Sequence, residues 1–404
     1  MSSEFRSQSN DQAGAPRYRH VSIGCSAVEV TEQQGVLHMR SLEPLAELPK
    51  RLLDRLVHWA QERPEQTFIA ARQASGDWRR ISYAQMLDSV RAIAQSLLSY
   101  GLSADKPLVL LSGNDLEHLQ VAFGAMYAGI PYCPVSPAYS LLSQDFAKLR
   151  HVCDLLQPGL VFVSDAAAYQ RAIDAVIPTD TPMISVRGQV AGRRQASFAS
   201  LLEQPGGAEA EAAFASTGPD SVAKFLFTSG STRLPKAVIT TQRMLCANQQ
   251  MLLQTFPVFG EEPPVLVDWL PWNHTFGGSH NIGIVLYNGG SFYLDDGKPT
   301  AQGFAQTLRN LKELSPTAYL TVPKGWEELV TALEQAAQLR ECFFKRISLF
   351  FFAAAGLSQS VWDRLDRVAE QHCGERIRMM AGLGMTEAAL GVDAVWLSPF
   401  FKSP

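Results

Sequence analysis

Blocks of helical and buried-strand pattern alternate along most of the chain. Apolar residues recur every three or four positions over SYAQMLDSVRAIAQSLLSYG, which starts at Ser82, and this spacing predicts a helix. Ser82 and Gln85 form a capping-box pattern at its start, and Gly101 marks its end. The segments PLVLLSG, DLEHLQVAFGAMYAG and IPYCPV then follow in the order strand, helix, strand. This order predicts a βαβ unit with a parallel sheet.

Further apolar runs extend the same pattern towards the end of the chain. They have the length and composition of buried strands and read GLVFVSD, VLVDWL, TAYLTV and RISLFFFAAAG. Residues 1–20 are polar and predict a flexible tail, while the small and polar residues of 203–220 predict a surface linker. The expected fold is therefore α/β, with sheets flanked by helices.

Composition and charge exclude several classes of function. The chain has 404 residues and a formal net charge of −4, with no basic run, so we expect no nucleic-acid partner. No apolar run approaches the roughly 20 residues that a membrane span needs, and the N-terminus lacks the apolar core of a secretory signal. The six cysteines are scattered without a CxxC pair, which favours a reducing compartment. A cytoplasmic protein without a membrane partner is expected.

One loop, FLFTSGSTRLPKAVITTQ (225–242), concentrates hydroxyl groups and backbone amides next to a lysine. A strand pattern, VAKFLF, precedes it, and Lys236 follows Pro235. Amides and hydroxyls in a tight turn suit phosphate oxygens, and Lys236 adds a point charge. A Ser/Thr turn that caps its own backbone is an equally open interpretation. The pattern G-x-x-x-x-G-K-[ST] is not present, which disfavours an ordinary P-loop enzyme. The candidate phosphate-binding residues are Thr228, Ser229, Gly230, Ser231, Thr232 and Lys236.

Three later motifs carry candidate chemistry. In DWLPWNHTFGG, His274 follows a strand end and is either a ligand-contacting group or a buried histidine with internal partners. In LFFFAAAGLS, the small side chains leave room for a flat ring or for a close helix–sheet contact, with Ser358 as a helix cap. In MMAGLGMTEAA, Thr386 and Glu387 offer oxygen ligands for magnesium, or they begin a helix.

TSGSTRLPKAV resembles the phosphate loop of the adenylate-forming (AMP-dependent synthetase/ligase) superfamily, T-S-G-[ST]-T-G-x-P-K-[GA]. Arg233 stands where that pattern has glycine, so that it either strains the loop or adds a phosphate contact. The order of the three later motifs is also similar to the superfamily. The resemblance implies that the AAAG segment holds adenine, that Thr386 contacts the α-phosphate and that Glu387 binds magnesium. Leu383 stands where many members have tyrosine.

Longer segments, among them VPKGWEELV and GLSQSVWDRLD, resemble feruloyl-CoA synthetases, and the resemblance runs from about Tyr18 to Ala389. It implies ATP-dependent conversion of an aromatic, hydroxycinnamic acid such as ferulic acid to an acyl-adenylate and then to an acyl-CoA, with Mg2+ and CoA. The catalytic residues it implies are His274, Thr386, Glu387 and Lys236. The nucleotide-binding residues it implies are those of the loop together with Ala354, Ala355, Gly356 and Thr386. The acid-binding residues are Trp272, His274, Phe276, Gly277, Gly382 and Gly384.

The end of the chain departs from the superfamily pattern. Residues 21–389 are expected to form the large adenylation domain, incomplete and without the small C-terminal domain. Residues 390–404 resemble a strand of α-amylase-like glycoside hydrolases, which suggests a fusion or a gene-model artefact. We therefore expect impaired ligation, and the alternative is a non-catalytic remnant that binds nucleotide or aromatic acid. A peptide-synthetase adenylation domain is disfavoured, and a homodimer remains open.

Overall fold

A computed structural model describes residues 16–228, 234–300, 302–388 and 393–395. Strands and helices follow one another along the chain, singly or in pairs. The strands are β1 (Val28–Gln33), β2 (Val36–Ser41), β3 (Thr67–Arg72), β4 (Trp78–Ser82), β5 (Leu108–Leu111), β6 (Tyr132–Pro134), β7 (Leu160–Asp165), β8 (Met183–Arg187), β9 (Gln195–Ser197), β10 (Val222–Thr228), β11 (Lys236–Thr241), β12 (Val265–Asp268), β13 (Ser291–Leu294), β14 (Ala318–Thr321), β15 (Leu349–Ala353), β16 (Arg378–Leu383) and β17 (Asp393–Val395).

The helices lie between these strands and cover the sheets. They are α1 (Asp54–Glu62), α2 (Tyr83–Ser99), α3 (Leu116–Tyr127), α4 (Ala138–Leu141), α5 (Ala147–Leu156), α6 (Ala166–Val176), α7 (Ala208–Ser216), α8 (Gln242–Thr255), α9 (Val258–Glu261), α10 (Ile282–Asn288), α11 (Phe304–Leu311), α12 (Pro323–Gln335), α13 (Ala337–Phe343) and α14 (Gln359–Cys373).

The described strands form three larger sheets and one hairpin. The first sheet has seven strands in the order β11-β10-β6-β5-β7-β8-β9. The second has the order β12-β13-β3-β4 and the third the order β14-β15-β16-β17, while β1 pairs only with β2. Neighbouring strands β14, β15 and β16 are parallel, so their carboxyl ends meet at one edge of the third sheet. Buried side chains from helices and sheets form the cores, and the α/β expectation is confirmed.

The helix predicted from Ser82 is confirmed as α2, and its capping box is present. Ser82 Oγ accepts a hydrogen bond from the Gln85 amide at 3.3 Å, and Gln85 Oε1 accepts one from the Ser82 amide at 2.9 Å. The chain leaves the helix through Gly101, whose φ of +70° suits glycine. The βαβ prediction is also confirmed, because β5 and β6 are parallel and α3 connects them.

Two segments differ from their sequence-based expectation. The expected surface linker 203–220 contains helix α7, because its run of alanine and glutamate has high helix propensity and Phe214 anchors it. The Phe214 ring is buried and stacks on Tyr127 with ring centroids 4.0 Å apart. In the expected tail, Arg19 donates hydrogen bonds to the carbonyls of Phe344 and Ile347, which ties residues 16–20 to the body of the protein. Residues 1–15 lie outside the described residues.

None of the described helices combines the length and apolar character that crossing a membrane requires. All six cysteines lie among the described residues, and none is disulfide-bonded. Cys133, Cys153 and Cys246 are buried, while Cys25 is exposed.

Candidate functional site

A cavity of about 360 Å³ opens at the carboxyl ends of β12, β14, β15 and β16. Parallel strands commonly carry ligand sites at this edge, because the loops that leave the strands converge there. The walls are mostly apolar. They are formed by Trp269, Leu270, Pro271, His274, Thr275, Phe276, Gly277, His280, Val322, Phe351, Ala353, Ala354, Gly382 and Gly384.

Most of the residues that sequence analysis assigned to an acid site line this cavity. They come from segments more than a hundred positions apart, and the strand ends bring them together. The residues concerned are His274, Phe276, Gly277, Gly382 and Gly384, joined by Ala354 from the candidate adenine segment.

Trp272 is the exception, because its side chain lies in the core. It is only 2% exposed, and its ring meets the His118 and Phe292 rings edge to face at 5.4 and 6.1 Å. The assignment of Trp272 to the acid site is therefore corrected. Trp269, three positions earlier in the same apolar stretch, lines the cavity instead. The turn that follows β12 decides which tryptophan faces the cavity, and the sequence pattern does not reveal that turn.

One wall is a π-helical turn, Phe276–Asn281, that leads into α10. Two glycines allow this turn to lie against the preceding loop. A Cβ atom at Gly277 would lie 2.5 Å from the Leu270 carbonyl oxygen, and one at Gly278 would lie 2.0 Å from the Trp272 carbonyl oxygen. Both distances are shorter than any ordinary contact, so the GG pair is a packing requirement. Wide helical turns of this kind often occur at functional sites.

The stem of the hydroxyl-rich loop lies next to the TE motif. Strands β10 and β11 form an antiparallel hairpin in which Thr228 pairs with Lys236, and Lys236 is exposed. Thr228 Oγ1 donates a hydrogen bond to Glu387 Oε1 at 3.4 Å. Thr228 is thus paired with Lys236 across the hairpin and hydrogen-bonded to Glu387, so residues from the first and the last motif meet at the loop stem. Ser229, Gly230, Ser231, Thr232 and Arg233 lie outside the described residues.

The remaining candidate nucleotide residues surround the same strand ends. Thr386 and Glu387 belong to a single 3-10 turn, Thr386–Ala388, rather than to a long helix. Ala355 and Gly356 are exposed beyond the end of β15. Ala354 has a φ of +77°, a conformation that favours glycine and costs a residue with a Cβ atom about 1 kcal/mol. Ser358 caps α14, because its side chain accepts from the Val361 amide, so the capping interpretation of this segment holds.

His274 lies where three cavities meet. Besides the cavity at the strand ends it lines a larger one of about 960 Å³ and a smaller one of about 210 Å³ that also touches Phe227. Its side chain is exposed towards these spaces rather than packed in the core. Partial burial lowers its pKa. His274 is therefore available to a ligand in its neutral form.

His280 is a lining residue that sequence analysis missed. It is 1% exposed, and Nδ1 lies 2.7 Å from Asn281 Oδ1, while Nε2 has no hydrogen-bond partner among the described residues. Asn281 Nδ2 donates to Asp268 Oδ2 at 2.8 Å. Burial lowers the pKa of His280 to about 4 and raises that of Asp268 to about 7. Its place in the sequence shortly after the His274 motif was the available signal, but that does not distinguish a cavity wall from core.

Lys224, on β10, contacts the π-helical turn Phe276–Asn281. Its side chain is 1% exposed, and Nζ donates to the carbonyl of Gly278 at 2.8 Å. Burial lowers the pKa of Lys224 to about 7. The lysine therefore links β10, which carries the stem of the hydroxyl-rich loop, to the turn that carries Phe276 and His280.

Comparison with protein-family models gives a match to "AMP-binding enzyme" over residues 56–403. Among curated proteins, a long-chain-fatty-acid–CoA ligase of Xenopus laevis is 22% identical over 276 residues, covering 65% of this chain and 36% of that protein. A methyl-dioxo-octahydroindenyl propanoyl:CoA ligase of Rhodococcus jostii is 27% identical over 254 residues, covering 61% of this chain and 47% of that protein. The matched region thus spans less than half of each relative's length.

Solved structures show the same fold. An adenylation domain of a keto acid-selecting NRPS module, bound to keto acyl adenylate, superposes with a TM-score of 0.69 at 19% identity, covering 87% of this chain and 60% of that one. A long-chain-fatty-acid–CoA ligase from Archaeoglobus fulgidus superposes with a TM-score of 0.67 at 18% identity, covering 86% of this chain and 66% of that one. At these identities the likeness concerns the fold.

Proposed function

This chain belongs to the AMP-binding enzyme family, and we propose that it takes part in the ATP-dependent activation of an aromatic carboxylic acid. In the proposed reaction, a carboxylate oxygen of a hydroxycinnamic acid such as ferulic acid attacks the α-phosphorus of ATP, and pyrophosphate leaves. The sulfur of CoA then displaces AMP from the acyl-adenylate and forms a thioester. We propose a cytoplasmic location, in keeping with cysteines that are not disulfide-bonded.

The observation that carries this proposal is the meeting of an apolar cavity with a polar edge. The cavity is lined by His274 and Phe276, while Thr228, Lys236 and Glu387 gather at the neighbouring loop stem. An acid needs an apolar pocket for its body and a charged environment where it meets phosphate. Both features converge here from four distant motifs.

Each residue has a physical role in this proposal. Lys236 offsets negative charge that develops on the phosphates, and Thr228 offers a hydroxyl to a phosphate oxygen. His274, whose pKa is lowered, acts as a neutral hydrogen-bonding group at the junction of the cavities. Ala354 at the end of β15 presents only a methyl group to the cavity, which leaves space for a flat ring.

A magnesium ion fits this edge only together with phosphate. Among the described residues, no group of three histidine, cysteine, aspartate or glutamate side chains could hold a metal ion. Magnesium commonly uses one or two protein carboxylates and completes its shell with phosphate oxygens and water. Glu387 would supply the carboxylate, and the ion would neutralise phosphate charge when bound.

Long-chain fatty acids are the second substrate class to test, because relatives at 22% identity are named as long-chain-fatty-acid–CoA ligases. The dimensions of the cavity and its aromatic walls, Trp269, Phe276 and Phe351, favour a compact aromatic acid. The two classes are distinguished by supplying each acid separately in the same assay.

Pyrophosphate–ATP exchange by the purified chain tests the proposal. Ferulate, 4-hydroxycinnamate and palmitate are supplied separately, and exchange that depends on a hydroxycinnamate supports it. Lys236→Ala should lower exchange by about 10²–10³-fold, as the loss of a charge-stabilising group does elsewhere. Lys324→Ala is the matched control, because Lys324 is exposed on α12 and pairs with Glu327 and Glu328.

The other outcomes are equally informative. Exchange with palmitate alone would replace the aromatic substrate class by fatty acids. Binding of ATP and ferulate without exchange would favour the alternative, a nucleotide- and acid-binding chain that does not catalyse adenylation. Absence of ATP binding by a folded chain would contradict both.

A further inference from the structure

His280, in the wall of the cavity, has a buried ring nitrogen with no hydrogen-bond partner among the described residues. His280 lines the cavity, and its ring packs against Phe276 and Phe351 with centroid distances of 5.3 and 5.4 Å. Its Nε2 atom is buried and has no partner among the described residues. Buried polar atoms are normally paired, so an unpaired one beside a cavity points to a partner that enters the cavity.

The neighbours of His280 determine which nitrogen carries the proton. Asp268 Oδ2 accepts from Asn281 Nδ2, which orients the Asn281 amide so that Oδ1 faces His280. Asn281 Oδ1 is an acceptor, so Nδ1 of His280 must donate the proton across the 2.7 Å separation. Nε2 therefore carries a lone pair. The Leu270 amide donates to the other oxygen of Asp268 at 2.9 Å, which holds the carboxylate in place.

A neutral acceptor at this position discriminates between the two ends of an acid. A carboxylate has no proton to donate and would meet the Nε2 lone pair unfavourably. A hydroxyl group has a proton to donate. Burial lowers the pKa of His280 to about 4, which keeps the ring neutral above that pH and agrees with the tautomer deduced from its partners. The carboxylate end of a ligand therefore belongs at the other side of the cavity, near His274, where neighbouring cavities open.

We propose that His280 Nε2 accepts a hydrogen bond from a hydroxyl group of the bound acid, and that this contact selects hydroxylated aromatic acids over their unhydroxylated analogues. The inference rests on the proposed function, because it assumes that the cavity holds the acid. It adds a specificity-determining residue, and it gives Asn281 and Asp268 the role of orienting that residue.

Titration calorimetry of the intact chain with a ligand series tests the proposal. The series consists of cinnamate, its 2-, 3- and 4-hydroxy derivatives and 4-methoxycinnamate, which is similar in size to the hydroxy acids but has no proton to donate. At least one hydroxy isomer should bind about tenfold more tightly than cinnamate and than the methoxy acid, as expected for one buried hydrogen bond. Equal affinity for all five acids would overturn the role of His280 while leaving the aromatic substrate class intact. No binding of any of them would overturn the proposed substrate class as well.

Substitution then assigns the effect to the residue. His280→Leu should abolish the preference for the hydroxy acid, so that it and cinnamate bind with about equal affinity, while the affinity for cinnamate changes little. His118→Gln is the matched control, because His118 is also buried and neutral but does not line this cavity, and the preference should persist in it. Selectivity retained in a folded His280→Leu protein would overturn the proposal. If His280→Leu fails to fold, His280→Phe, which keeps a ring but has no nitrogen to accept a hydrogen bond, provides the same test.

Discussion

The hydroxyl of Thr228 donates a hydrogen bond to Oε1 of Glu387 at 3.4 Å, although 159 positions separate the two residues. Thr228 ends β10, and Glu387 lies in the turn that follows β16. Their contact joins the first and last motifs of the chain at the loop stem that carries Lys236. This contact supports the proposal that phosphate and metal bind at this edge.

The role of Glu387 can be tested through its dependence on magnesium. Glu387→Gln should weaken binding of Mg-ATP about tenfold and leave binding of ATP in EDTA nearly unchanged, because only the metal-bound form uses the carboxylate charge. Calorimetry with and without Mg2+ measures both affinities. Glu203→Gln, at an exposed glutamate, is the control. Equal weakening in both conditions would show that Glu387 supports the fold or the nucleotide rather than the metal.

Gly278 should be intolerant of a side chain. A Cβ atom there would lie 2.0 Å from the backbone oxygen of Trp272, so Gly278→Ala must displace the turn that carries Phe276 and His280. We expect a loss of about 1–3 kcal/mol, which is visible as a lower thermal midpoint. In Gly218→Ala the new Cβ meets nothing within 4 Å, so its thermal midpoint should stay close to that of the parent. Equal midpoints for both variants would contradict the packing requirement.

Lys224 should make stability rise with pH above neutrality. Burial lowers its pKa in the folded protein from 10.5 to about 7, so between these values the unfolded chain binds one proton more than the folded chain. Stability therefore increases with pH across this window, and the contribution is constant below about pH 7. Lys224→Met removes this contribution. Denaturant unfolding at several pH values from 7 to 9.5 should show a shallower slope for the variant, and parallel slopes would contradict the burial of the ammonium group.

Substitution of Trp272 should lower stability without affecting acid binding, whereas substitution of Phe276 should weaken acid binding. Trp272→Phe shrinks a side chain in the core whose indole nitrogen has no partner among the described residues, so we expect a loss of about 1–3 kcal/mol in stability and unchanged affinity for the acid. Phe276→Leu changes a cavity wall and should weaken binding of the aromatic acid several-fold. Thermal unfolding and calorimetry on both variants give the comparison. Weaker acid binding in a stable Trp272→Phe protein would show that Trp272 contributes to the acid site.

Elements with a local signal were predictable from the sequence. Helix α2 has regular apolar spacing, a capping box and a glycine end, and all three appear in the structure. The helix in segment 203–220 was not predictable in the same way. Its Phe214 ring packs against Tyr127 and the Arg51 guanidinium, which are distant in the sequence. Isolated helices of nine residues are marginal, so tertiary contacts decide whether they form.

The candidate site also has features that the sequence predicted and features that only the tertiary structure determined. The sequence by itself determined the order of the motifs, the α/β class and family membership, because those follow from local patterns and their spacing. The roles assigned to Lys236, Thr386 and the loop hydroxyls remain predictions. Only the tertiary structure decided that Trp269 rather than Trp272 lines the cavity and that His280 lines it with an Nε2 atom that has no partner in the part of the chain that the structure describes. The physical reason is that the direction of a side chain after a strand end depends on the backbone turn and its packing, which residue type alone does not specify.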